Sequence, residues 1–159
     1  MLGFNSTVYD WLKLAHILAA ITWAGGGIFV QLYATRLDRQ NDPVRLAGFA
    51  KDIEWFGLRV FTSSSLLVLA TGITLVIYTP GLNFTDTWIL LALIGFGYTF
   101  VTGAFFLGPE SGRLGTLFRE RSPDDPEIQR RIKRIFLVSR VDLLVILLVV
   151  VDMVLKPGR

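Results

Sequence analysis

The 159-residue chain has no cysteine, a single histidine and two methionines. Without cysteine there can be no disulfide framework, thiolate metal site or cysteine nucleophile, and nothing marks the redox compartment. Charge is scarce as well: 18% of the residues are Asp, Glu, Lys or Arg, against about 25% in globular proteins. With 52% hydrophobic residues and a mean hydropathy of +0.54, this deficit requires long segments with apolar surroundings on all sides. Catalytic signatures are also missing. There is no HExxH, no carboxylate pair at metal-centre spacing, no Walker-type loop and no Ser-His-Asp set in a supportive context. No catalytic residue is assigned, and the reading leans away from an enzyme.

What is present is a set of four segments able to cross a hydrocarbon layer of roughly 30 Å, which takes about 20 helical residues. They cover about 12–35, 60–79, 87–107 and 135–155. Pro80-Gly81 ends the second near Tyr78, and Gly108-Pro109 stops the third. The fourth contains the apolar run 143–151 but also Arg140, Asp142 and Asp152. The first span has no positive n-region before it and is read as a retained helix. The predicted fold is an all-α polytopic membrane protein, a single domain forming an up-and-down four-helix bundle, with short interfacial helices on the cytoplasmic side.

Thirteen of the sixteen lysines and arginines fall in the connections 36–59 and 108–134 and at Arg140, just inside the fourth span; Lys13, Lys156 and Arg159 lie toward the termini, and the turn 79–86 has none. The positive-inside rule then places both basic connections in the cytoplasm and both termini outside. Tyr9, Trp11, Tyr78 and Trp88 make an outer aromatic belt, with Trp55 at the inner boundary. Asp42-Pro43 starts a helix whose Leu46, Phe49, Ile53, Phe56 and Val60 fall within about 80° of one another, as in a helix lying along the inner surface. Asp125-Pro126 starts another that runs into the fourth span. Its Arg130, Arg131, Lys133 and Arg134 fall at the level of anionic lipid headgroups, a setting that favours lipid over nucleic acid as partner.

Inside lipid, helix interfaces are recognised by small and polar residues. On the first span His16, Ala20, Trp23, Gly27, Gln31 and Ala34 form one narrow inward stripe, about 80° wide. Ser64, Thr71 and Tyr78 share a face of the second, Gly95, Thr99, Thr102 and Gly103 form a ladder on the third, and Ser139, Asp142, Val149 and Met153 share a side of the fourth. His16 is the candidate ligand for haem b or, less favoured, copper, with Trp23 and Gly27 beside it. Met153 at similar depth, or a second copy of His16, would supply the other ligand. Structural hydrogen bonding between helices is the bland alternative. Asp142 and Asp152 suit either ion pairs, with Arg59, Arg140 or Lys156, or a proton path.

The pattern Leu12-Lys13-Leu14-Ala15-His16 through Trp23-Ala24-Gly25-Gly26 resembles the first helix of a group of small bacterial membrane proteins, above all an uncharacterised four-helix family of predicted integral membrane proteins. The likeness also covers Gly108-Pro109 to Leu114. The same first-helix pattern is similar to copper-resistance D-like proteins and to the membrane protoporphyrinogen oxidase that binds haem b. That resemblance implies a bacterial inner-membrane location and a haem-linked His16. It does not extend to the oxidase's activity, because the third span here has no lysine. The leading expectation is a haem b binding or electron-transfer module. The alternatives are a cofactor-free membrane subunit of a larger complex or homo-oligomer, and a small transporter or proton path.

Overall fold

Asp42 and Asp125, each followed by proline, start helices as the sequence predicts. The Asp42 side chain accepts from the Arg45 N–H at 3.1 Å and that of Asp125 from the Glu127 N–H at 2.8 Å, satisfying N–H groups that lack an intrahelical partner. The computed structural model describes residues 6–40, 42–122 and 125–158, and every element among them is helical. These are α1 (Ser6–Arg39), α2 (Pro43–Phe56), α3 (Thr62–Tyr78), α4 (Thr87–Thr102), α5 (Gly108–Glu120) and α6 (Pro126–Leu155). Two π-helical segments, Gly57–Phe61 and Gly103–Leu107, join α2 to α3 and α4 to α5.

Those π segments correct two expectations. The 43–56 helix is not a separate element lying on the membrane surface but runs unbroken into α3. Likewise, Gly108-Pro109 does not stop the third helix, which continues to Glu120. Pro109 has no N–H to donate to the preceding turn and would crowd its carbonyl. Widening the helix by one residue removes the conflict, and the Gly108 N–H bonds the Gly103 carbonyl instead. At the other segment the N–H and hydroxyl of Thr62 both bond the Gly57 carbonyl, the hydroxyl at 2.9 Å.

Among the described residues three helices, Ser6–Arg39, Val44–Tyr78 and Thr87–Glu120, are long and apolar enough to cross a membrane. Each is 34 or 35 residues, about 50 Å at 1.5 Å per residue, so roughly 20 Å extends beyond the hydrocarbon layer. α6, whose apolar part still carries Arg140, Asp142 and Asp152, packs among them all the same. It runs antiparallel to α4, where a Cβ on Gly95 would fall 2.4 Å from Val149 Cγ2, and to α1, where Gly27 faces Leu143 Cδ1. α1 packs on α3 and α6, and α4 packs on α6. α3 and α4 are neighbours in sequence but rest on these different partners, not mainly on each other.

Two kinds of interior follow from two kinds of solvent. At the apolar level the buried residues are mostly small or polar: Ala19, Ala34, Ser65, Thr71, Ala92 and Thr99. Lipid gives leucine no reason to hide, so close backbone approach decides the packing there. At the basic end α2, α5 and the start of α6 enclose Ala50, Leu114, Ile128 and Ile132, with Leu46, Leu117 and Phe118 packed around them. Ile128 is fully buried, as the hydrophobic effect demands of a bundle that meets water. Part of the predicted apolar face of α2 is thus turned toward helices, Leu46 toward this core and Phe49 edge-on to Tyr33 at 5.2 Å between ring centroids, whereas Phe56 is exposed.

Candidate functional site

The α1 stripe faces the other helices: its outer end meets α3, its middle α4 and its inner part α6. His16 meets α3. Trp23 packs on Phe96 of α4 at 5.4 Å between centroids. Gly27 faces Leu143 of α6, and Gln31 Oε1 accepts from Ser139 Oγ at 2.7 Å. The Gly25-Gly26-Gly27 run has one position with no room for a side chain: a Cβ on Gly26 would lie 2.6 Å from Phe61 Cε1, inside the first π segment. Trp23 and Gly27 are therefore engaged in helix packing some distance along the helix from His16, on sides facing α4 and α6.

His16 Nδ1 lies 2.9 Å from Thr71 Oγ1. The Thr71 hydroxyl sits 2.6 Å from the Leu67 carbonyl, to which it donates its single proton. Its oxygen is then an acceptor toward His16, which fixes the imidazole proton on Nδ1 and leaves the lone pair on Nε2. The Val68 carbonyl is a further hydrogen-bond partner of the ring. Gly72 makes the approach possible, since a Cβ there would fall 3.2 Å from His16 Cε1. Thr71 was legible as an inward-facing residue, but its pairing with His16 depends on a register between α1 and α3 that no sequence pattern specifies.

Met153 belongs to α6, which packs on α1. The pairs Gly27–Leu143 and Gln31–Ser139 define an antiparallel α1/α6 register. Continued outward, it brings the level of His16 to Val154, next to Met153. Among the described residues no three His, Asp or Glu side chains are grouped to hold a metal ion.

The expected ion pairs of α6 do not form among the described residues. Asp142 Oδ1 and both Asp152 carboxylate oxygens are buried without a hydrogen bond. Their expected partners are drawn elsewhere: Arg59 stacks on Trp55 at 5.2 Å, Lys156 lies over Trp88 at 5.2 Å, and Arg140 lines a groove at the basic end. Trp88 is buried under that lysine and so does not stand in an exposed aromatic belt. Gln31 Nε2, across from Ser139 and Asp142, is also buried and unpartnered.

Arg131 likewise departs from a headgroup role. It bonds Glu110 at 2.7 Å and Glu127 at 2.9 Å, while Glu110 also holds Arg113 at 3.0 Å. Burial alone would raise the Glu110 carboxyl, but the two guanidinium bonds outweigh it and hold the group below its ordinary range. Glu127 is lowered chiefly by its bond to Arg131, whose own value is raised by the two glutamates. Arg130, Lys133 and Arg134 remain exposed, Arg134 over the Phe106 ring at 4.9 Å. Acidic residues in α5 gave no hint of this network, because its partners are brought together only by the α5–α6 crossing.

Residues 10–157 match the model of a family described as predicted integral membrane protein (DUF2269). No curated protein and no solved structure matches the chain. The expected similarity to copper-resistance D-like proteins and to membrane protoporphyrinogen oxidase is accordingly not shown.

Proposed function

The chain belongs to this DUF2269 family of predicted integral membrane proteins, and from that premise we propose a four-span membrane module that holds a haem-type iron through His16 Nε2. The observation that carries the reading is the hydrogen bond from Nδ1–H to Thr71. Ligating histidines characteristically donate their other ring nitrogen to such a partner, which fixes the tautomer and the ring plane. A macrocycle supplies four of the iron's ligands, so one imidazole per chain suffices, whereas copper would need further protein ligands. Met153 on α6 or His16 of a second copy would be the second protein ligand. When bound, the haem supplies one-electron redox chemistry; the chain's own contribution is to hold the imidazole neutral and oriented.

The contacts of α6 with Gly27 and Gly95 favour its crossing alongside the other three helices. Four spans with both basic ends inward leave the termini outside a bacterial cytoplasmic membrane. A second reading rests on the Gly72 contact: His16 only pins α1 to α3 within a cofactor-free subunit or homo-oligomer. An absorption spectrum of detergent-purified protein from haem-replete cells separates the two. The haem reading expects a Soret band that disappears in His16→Ala and changes position or redox potential in Thr71→Val. A colourless preparation, or a band that survives His16→Ala, would refute it.

A further inference from the structure

Most arginines at the basic end are already engaged. Arg45, Arg113, Arg121 and Arg131 pair with carboxylates, and Arg59 and Arg134 lie over aromatic rings. Arg36, Arg39 and Arg140 have no such partner among the described residues. All three line one open groove of about 520 Å³ between α1 and α6, together with Gln31, Leu32 and Thr35. Among the described residues no carboxylate lines it. Three exposed arginines bordering one groove leave their charge to be met from outside the groove's own lining, and a planar guanidinium fork matches the oxygens of a phosphate.

Two further observations select the kind of anion. On the groove wall the Gln31 amide has a buried Nε2 with no acceptor, a donor at the end of the groove nearer the apolar level. Leu32 is 68% exposed and Phe29, one turn along the same helix, 66%. The groove therefore opens onto an apolar helix face, where acyl chains would continue from a headgroup, and not only onto water. We propose that it seats the phosphate of an anionic phospholipid from the leaflet at the basic end. Arg36, Arg39 and Arg140 bind the oxygens, and Leu32 and Phe29 border the chains. This assignment differs from the surface cluster around residue 130 and does not depend on any cofactor at His16.

The test is native mass spectrometry of the full-length protein in detergent, titrated in parallel with phosphatidylglycerol and phosphatidylcholine. Selective retention of phosphatidylglycerol is expected, falling roughly fivefold for each arginine removed in Arg36→Gln, Arg39→Gln and Arg140→Gln. An Arg130→Gln/Lys133→Gln variant should retain it like the unmodified protein. Unchanged retention in the triple variant, or loss only in the 130/133 variant, overturns the site. Displacement of the lipid by millimolar inorganic phosphate would show a free-anion site and overturn the lipid assignment. Thermal unfolding of each variant shows that it is folded, and Arg140→Gln alone serves if the triple variant is not.

Discussion

Gly95 offers the most direct test of the packing that carries α6 through the bundle. An added Cβ would sit 2.4 Å from Val149 Cγ2 and 3.6 Å from Val145 Cγ1. Ordinary carbon contacts are about 3.5–4.0 Å, so α4 and α6 would have to part by about an ångström, or Val149 leave its preferred helical rotamer. Overpacking of this kind costs typically 1–3 kcal/mol. Replacing glycine by alanine in a helix returns roughly 0.5–1 kcal/mol. Gly95→Ala should therefore be destabilising by about 0.5–2 kcal/mol. Gly97, two residues along the same helix, has nothing within 4 Å of its would-be Cβ. There the helical gain stands alone, so Gly97→Ala should be neutral or stabilising by up to about 1 kcal/mol. Unfolding both variants with SDS in mixed micelles reads the difference, and Gly95→Ala/Val149→Ala should recover part of the loss. Equal stability of the two alanine variants would mean that α4 and α6 are not in contact at this level.

The Glu110–Arg131 network should make stability acid-sensitive. Glu110 and Glu127 are both lowered in the folded protein, so their contribution is present above the unfolded value near 4.5 and is lost as pH falls through the lower folded values. Thermal unfolding in detergent between pH 7 and pH 3 should show a steeper acid loss for the unmodified protein than for Glu110→Gln; parallel curves would remove the network from the account. Gly26→Ala, whose Cβ would fall 2.6 Å from the Phe61 ring, should cost about 1–2 kcal/mol in the same SDS assay, and Gly25→Ala, with open space, should not. For orientation, cysteines at Gln40 and Ser122 in intact cells should resist a membrane-impermeant thiol reagent, whereas one at Asn83 should react. The reverse pattern would invert the topology.

Composition and periodicity were enough to establish an all-helical membrane chain. Helical spacing on a hydrophobic background is local information, as are the Asp-Pro starts at residues 42 and 125 and the Pro80-Gly81 stop, where Gly81 takes a φ of +85°. The inward stripe of α1 was readable for the same reason: small and polar residues at intervals of three and four have no other use in lipid. Helix stops were less legible. Gly108-Pro109 has the local chemistry of a terminus, yet a one-residue widening at Gly103–Leu107 absorbs the proline, and packing of α5 against α2 and α6 favours the continued helix. The sequence likewise showed part of each inward face, Thr71 and Thr99 among it, but Tyr78 is exposed, the buried Ser65, Ala92 and Ile146 were not read from it, and it did not show which partner each residue meets. His16 finds Thr71, Gln31 finds Ser139, and Arg131 leaves the surface for Glu110 because three helix pairs settle into particular registers. Side chains entering the gaps at Gly26 and Gly72 fit the α1–α3 register, and Leu143 against Gly27 fits that of α1 and α6, contacts between residues tens of positions apart that no single helix encodes.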